Sequence, residues 1–421
     1  MSFEVHDLTA REILDSRGRP TLQVRVALAD GTVATAGVPS GASTGTREAV
    51  ELRDGDPARF GGAGVTRAAG NVNGELADLL CGASWASLAD ADHAMIRADG
   101  TPNKARLGAN ATVGVSMALA RALARSADKP LHAWLPGFGQ PPRLPVPCFN
   151  VLNGGAHAAN PLDFQEFMIC PLGAPTIAEA VRAGAQVYAD LRARLAAAGH
   201  ATGLGDEGGF APDLNEPEEA LDLIVAAISD TGYDAGPTGI AIALDPAASE
   251  FWTQDTGYLV AGARLSSTEM IDRYVEMIDR YPIWSIEDGL AEQDSSGWQE
   301  LTTRLGHRIQ LVGDDNFCTN PAIISQAIHD GIANAALIKV NQIGTITETL
   351  DAMEVCHHAG YAQMVSHRSG ETPDDFIADL AVATGCGQIK SGAPARGERV
   401  AKYNRLMEIG AQQPGMSYGK S

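Results

Sequence analysis

The chain has 421 residues, 45% of them hydrophobic and 20% charged, which is enough for two or three domains with a sizeable core. A formal net charge of −21 and a pI near 4.8 exclude partners held by phosphate backbones or anionic lipid, so neither nucleic acid nor a membrane is expected. An anionic small molecule would also be repelled at long range, so a site for one must carry its own positive charge.

In chain order, the opening MSFEVHDLTARE lacks a basic segment followed by an apolar one, so no secretory signal is expected. Leu22, Val24, Val26 and Leu28 alternate with other residues, and Asp30-Gly31 turns the chain into a second strand through Val38. Helical patterns follow near 64–81, 88–97 and 109–126, which makes residues 1–135 a small α+β domain. The Pro/Gly-rich segment 135–147, LPGFGQPPRLPVP, marks a boundary, and a second domain spans 140–421. Its first two strands, in VPCFNVLNGG and FQEFMICPLG, have no helix between them. Thr176, Ser266 and Thr345 each stand three residues before a Glu and read as capping boxes, and Thr372-Pro373 reads as a fourth helix start. In the helix near 177–198, Ile177, Val181, Tyr188, Leu191 and Leu195 share a face. Six cysteines without a CxxC pair fit a reduced, cytoplasmic protein.

The second half carries the chemistry. Six apolar runs end in Asp245, Glu287, Asp314, Lys339, His367 and Lys390, at intervals of 23–42 residues filled by helical patterns. That period suits an α/β parallel barrel, whose chemistry sits at the carboxyl ends of its strands. Three carboxylates brought together repel unless a cation neutralises them, and hard oxygen ligands select Mg²⁺ over zinc. The bland alternative makes some of them helix caps or ion-pair partners, roles that Asp288 and Asp315 could also fill. Lysine is scarce: arginine supplies 25 of 31 basic residues. Two lysines at strand ends therefore point to a removable proton, which arginine cannot offer. Burial of Lys339 beside Lys390 would lower its pKa and make it a base, unless both merely bind substrate charge.

Loops supply the rest. Residues 203–208 match G-x-G-x-x-G, but a helix precedes them and none follows, so a dinucleotide site is not indicated. What remains is an acid pair, Asp206-Glu207, flanked by glycines that allow close approach to a ligand. Ser366 to Gly370, SHRSG, offers a guanidinium and hydroxyls suited to phosphate. VPSGASTG, 38–45, is rich in hydroxyls and could close over a site. His357 and His358 fall inside a helix pattern and read as ordinary helix residues.

Taken together, ILDSRG, VPSGASTG, ELRDGD, LGAN, VLNGG-x-HA, QEFMI, GDEGGFAP, SIEDGL, LVGDD, LIKVNQIG, SHRSGET and GQIKSGAPAR resemble the enolase family over essentially the whole chain. The resemblance implies an N-terminal α+β domain, a modified eight-stranded (β/α) enolase-type TIM barrel and a homodimer or higher homo-oligomer. It also implies dehydration of 2-phosphoglycerate, a small phosphorylated hydroxy acid, to phosphoenolpyruvate in glycolysis. Lys339 would take the C2 proton, and Glu207, assisted by Glu166, would protonate the departing hydroxide. Asp245, Glu287 and Asp314 would hold one Mg²⁺. Ser43 would reach a second Mg²⁺ that binds only with substrate. His157, Gln165, His367, Arg368, Ser369 and Lys390 would bind the substrate. A lysine or histidine base with one or two Mg²⁺ ions is the general pattern of the enolase superfamily.

The chain departs from the family pattern at Pro246, Asn316 and Cys318, through 161–164, at Ala63 and in its tail. None of these removes a catalytic group. They raise a second reading, an enolase-like enzyme of phosphonate biosynthesis acting on a phosphonate-bearing analogue to form carboxyphosphonoenolpyruvate. A third, a non-catalytic binding protein on the same fold, is disfavoured by the full set of acids, base and ligands.

Overall fold

The computed structural model describes residues 2–42 and 45–419. Strands β1 (Phe3–Leu14), β2 (Pro20–Leu28) and β3 (Val33–Gly37) form an antiparallel meander, with β4 (Ser84–Trp85) on the far edge of β1. Leu22, Val24 and Val26 are buried, as alternation demands. The sequence reading contains no counterpart of β1: of its residues only Val5 and Leu8 are buried, so its apolar period is faint. Helices α1 (Thr66–Asn71), α2 (Ala77–Leu80), α3 (Leu88–Asp99) and α4 (Ala109–Ser126) complete this unit, with α4 packed on β2 and β3.

After α5 (Leu131–Trp134) the chain enters the barrel. Its opening is β5 (Val146–Asn153), β6 (Glu166–Cys170), α6 (Ile177–Ala197), α7 (Pro217–Asp230) and β7 (Ala241–Asp245). A small sheet of β8 (Trp252–Thr253), β9 (Gly257–Val260) and β10 (Ala263–Leu265) interrupts, followed by α8 (Ser267–Arg280). Regular units then run β11 (Ile283–Glu287), α9 (Ser295–Leu305), β12 (Gln310–Gly313), α10 (Pro321–His329), β13 (Ala335–Ile338), α11 (Val340–Ile343) and α12 (Ile346–Ala359). They end with β14 (Ala362–Ser366), α13 (Phe376–Thr384), β15 (Gln388–Lys390) and α14 (Gly397–Gln412).

The barrel closes in the order β5-β6-β7-β11-β12-β13-β14-β15, and β6 is antiparallel to both neighbours. The expected pair of strands without an intervening helix is thus a hairpin, and it reverses one stave. Val146, Cys148, Met168, Ala243, Val312, Leu337 and Met364 fill the interior. Thr176, Ser266 and Thr345 cap α6, α8 and α12, although the reciprocal side-chain bond of a full box forms only at Ser266. The start expected at Pro373 is displaced: α13 begins at Phe376, because Asp374 and Asp375 pair with Arg121 of α4 instead of leading a helix. All six cysteines are free. His357 and His358 lie on α12, as read. Among the described residues no helix is long and apolar enough to cross a membrane.

Polar bonds seam the meander unit to the barrel. Buried Asp92 accepts from Ser116 Oγ (2.8 Å) and from Thr347 N (3.1 Å). Ser40 and Gly370 exchange backbone bonds of 2.7 and 2.9 Å, which lays the segment from Val38 onto the SHRSG turn at the barrel mouth.

Candidate active site

Six strands deliver six residues to one mouth by ending there. Asp245, Glu287 and Lys390 are the last residues of β7, β11 and β15, while Asp314, Lys339 and His367 directly follow β12, β13 and β14. The antiparallel β6 delivers its beginning instead: Glu166 pairs with Asn153 and Asp245, at the carboxyl ends of both neighbours. The 203–210 loop presents Glu207 beside His157. A small cavity is lined by His157, Gln165, Glu166, Glu207, Asp245, Asp314, Lys339, His367, Arg368, Ser369 and Lys390. Glu287 is 1% exposed and bound to Lys390. Ser43 lies outside the described residues.

The lysines act as counter-ions. Lys390 Nζ stands 2.7 Å from Glu287 Oε1 and 3.3 Å from both Glu166 Oε1 and Asp245 Oδ2. Burial opposes its charge, but these three carboxylates hold its pKa well above the ordinary lysine value. Lys339 Nζ contacts Asp314 Oδ2. Here the expectation of a depressed base is corrected: burial and Lys390 push the amine down, yet Asp314 raises it above the ordinary value. The carboxylates show what the crowding costs. Burial, then mutual repulsion, pushes Glu287 well up, and Asp315 rises to about 8. Asp288 takes the bracing part: its two oxygens accept from Asp314 N (2.9 Å) and Asp315 N (3.0 Å), fixing the end of β12.

Across the cavity, His157 separates two acids, with Nδ1 3.8 Å from Glu166 Oε1 and Nε2 3.9 Å from Glu207 Oε1. Burial and the Glu207 charge raise Glu166 well above the ordinary value. Burial would raise Glu207 too, but His367 and His157 outweigh it and hold Glu207 well down. The same surroundings thus shift the two acids in opposite directions. Arg368, the candidate phosphate ligand, pairs with Glu48 through bonds of 3.0 and 3.1 Å and with Asn341 Oδ1 at 3.0 Å.

The donor set fits a hard divalent cation. Glu166 Oε2 and Glu287 Oε2 are buried without a hydrogen-bond partner, and carboxylates outnumber the lysines beside them. The expected trio Asp245, Glu287 and Asp314 is not drawn into its tightest grouping. Among the described residues, the acid groups with ligand atoms within 4.8 Å of one another are Asp288, Asp314 and Asp315, and Glu166 and Glu207 with His157. Asp245 and Glu287 turn to the one ammonium of Lys390, while Asp314 turns to Lys339.

Several participants escape a reading based on strand ends. Arg17, from the turn after β1, reaches Ser369 Oγ at 3.2 Å and Ser40 O at 3.1 Å. Glu48 and Asn341 hold Arg368, and Arg399 of α14 lies against His367. Arg17 sits in the ILDSRG motif and Glu48 between VPSGASTG and ELRDGD, but partners more than 300 residues away carry no local signal.

A closed barrel with acids and lysines gathered at a carboxylate-rich mouth defines an acid–base enzyme site suited to an anionic substrate and a hard metal ion. Residues 142–417 match the family model described as enolase, C-terminal TIM barrel domain, and residues 5–135 match enolase, N-terminal domain. The enolase of Rubrobacter xylanophilus is 58% identical over 407 residues, covering 96% of this chain and 94% of that one. The enolase of Acidothermus cellulolyticus is 56% identical over 405 residues, with the same coverage. The chain belongs to the enolase family.

Proposed function

We propose that this protein is a Mg²⁺-dependent hydro-lyase that converts 2-phosphoglycerate to phosphoenolpyruvate in glycolysis. Membership of the enolase family supports the reaction, and the observation that carries the roles is the opposition of Lys339 to the Glu166/Glu207 pair across one cavity. Lys339 takes the C2 proton from one side. Glu207 protonates the leaving C3 hydroxide from the other, and Glu166 holds the proton in reserve. Lys390, with Gln165 and His157, orients the carboxylate end, and Arg368 with Ser369 receives the phosphate. Asp245, Glu287 and Asp314 would hold Mg²⁺, which when bound supplies Lewis-acid charge against the dianion that forms at the substrate carboxylate. Were Asp314 turned to that ion, burial, Arg368 and Lys390 would favour the neutral amine that a base requires. Ser43 would serve as a ligand of a second Mg²⁺ that comes only with substrate. We assign residues 1–135 to the N-terminal domain and 140–421 to the catalytic barrel, in a cytoplasmic homodimer or higher homo-oligomer.

No observation favours the phosphonate reading. Asn316 O accepts from Arg47 and Cys318 packs on Gly45, so these departures face the segment after VPSGASTG rather than Arg368 or Ser369. The test is growth of enol absorbance on adding 2-phosphoglycerate. Turnover is expected with Mg²⁺, lost with EDTA and restored by excess Mg²⁺; no turnover at saturating Mg²⁺ would sink the assignment.

A further inference from the structure

We propose that Arg399, which the chemistry above leaves without a role, is a positioning residue that fixes His367 as its neutral, Nε2-protonated tautomer and so sets a permanent N–H beside Glu207. The inference rests on the reading of Glu207 as the acid. Arg399 lies in the first turn of α14 and is fully buried. Its Nη1 is 2.5 Å from His367 Nδ1 and 2.6 Å from Arg368 O. Its Nη2 donates to Ser369 O and, at 3.1 Å, to Asp206 O. Nη2 also lies 3.4 Å from Ser16 Oγ, so five acceptors surround the four hydrogens of the two η nitrogens and hold the guanidinium in place.

A guanidinium has no lone pair to offer and stays protonated, so the nitrogen it touches must be an acceptor. His367 Nδ1 is therefore bare, and the ring proton sits on Nε2. Nε2 lies 3.1 Å from Glu207 Oε2, off the line of an ideal hydrogen bond, and Asn150 Nδ2 donates to the same oxygen at 2.9 Å. The opposite tautomer would set N–H against N–H at Arg399 and a lone pair against the carboxylate. The doubly protonated ring is also disfavoured: burial and Arg399 outweigh Glu207 and depress the ring to about 3. Gly392 clears the space for this pairing. Its φ is +76°, and a Cβ there would meet Arg399 Cδ at 2.9 Å and His367 Cε1 at 3.2 Å. Glu207 thus lies between the Asn150 amide that donates to it and a ring whose proton does not move.

The test is long-range ¹⁵N–¹H correlation on the full-length, ¹⁵N-histidine-labelled protein, with His367 assigned by the signals lost in His367→Gln. The expected pattern is a bare, downfield Nδ1 and a protonated Nε2, unchanged across neutral pH. In Arg399→Gln, whose amide accepts as well as donates, His367 should become a mixture of tautomers, and kcat should fall roughly tenfold to a hundredfold with little change in KM. A wild-type His367 that is Nδ1-protonated, averaged or cationic overturns the proposal. So does Arg399→Gln with unaltered tautomer and kcat. Arg399→Met replaces the glutamine variant if that one does not fold, and the wild-type spectrum decides the tautomer in either case. Because the spectrum needs no turnover, absence of activity on 2-phosphoglycerate would refute the assigned reaction without touching this result.

Discussion

Lys390 occupies the position where positive charge is needed whether or not an ion is bound. Its ammonium touches Glu166, Asp245 and Glu287, all nearly fully buried, and removing one partner of a buried charge cluster leaves the others uncompensated. Lys390→Met should therefore destabilise the metal-free protein by about 3 kcal/mol. Added Mg²⁺ should then raise the melting temperature of the variant more than that of the wild type, by replacing the lost cation. Equal Mg²⁺ responses would show that these carboxylates do not share one ion. The same electrostatics separate the two acids: burial and the Glu207 charge push Glu166 up, while His367 and His157 outweigh burial and hold Glu207 down.

At the scale of elements, most of the mouth was legible because parallel strands end there, and an apolar run ending in a charge is a local signal. Glu166 and Gln165 follow the opposite rule, since β6 runs backwards and brings its beginning to the mouth. Direction is not written in a short apolar strand; it follows from the turn at 154–165 and from the lack of a crossover helix. The helix-start reading succeeded where Ser266 and Glu269 satisfy each other and failed at Pro373, where Arg121 from another domain claims the carboxylates. Helix α6 meets β5 at Gly184, where a Cβ would collide with the Phe149 ring. Alanine is the better helix former by up to about 1 kcal/mol, yet overpacking costs ~1–3 kcal/mol. Gly184→Ala should thus lower the urea midpoint, and an increase would mean that the ring yields freely.

The whole molecule holds the mouth together by bonds between distant segments, which is why Arg17, Glu48 and Arg399 could not be assigned roles from sequence neighbours. The same long-range bonding sets its acid limit. Asp379 of α13 is bound by Arg405 of α14 at 2.8 and 2.9 Å and by His132 of α5 at 3.2 Å. Burial would raise its pKa, but Arg405 and His132 bring it to about 2, from an ordinary value of 3.8. A depressed carboxylate stabilises above its unfolded pKa and loses that contribution as pH falls through the folded one, here between about 4 and 2. Asp379→Asn should cost about 2 kcal/mol at pH 7, and the gap from wild type should close over that acid window. A pH-independent difference would contradict the ion-pair account. The base arrives on a parallel strand and the acids on a reversed strand and a loop, so two-sided chemistry exists only in the complete fold. Exchange of the C2 hydrogen of 2-phosphoglycerate in D₂O, followed beside phosphoenolpyruvate formation, separates the two sides. Lys339→Ala should lose exchange and product together, by about 10²–10⁴-fold, whereas Glu207→Gln should keep exchanging while product formation falls. Wild-type exchange in Lys339→Ala would contradict the assignment of the base.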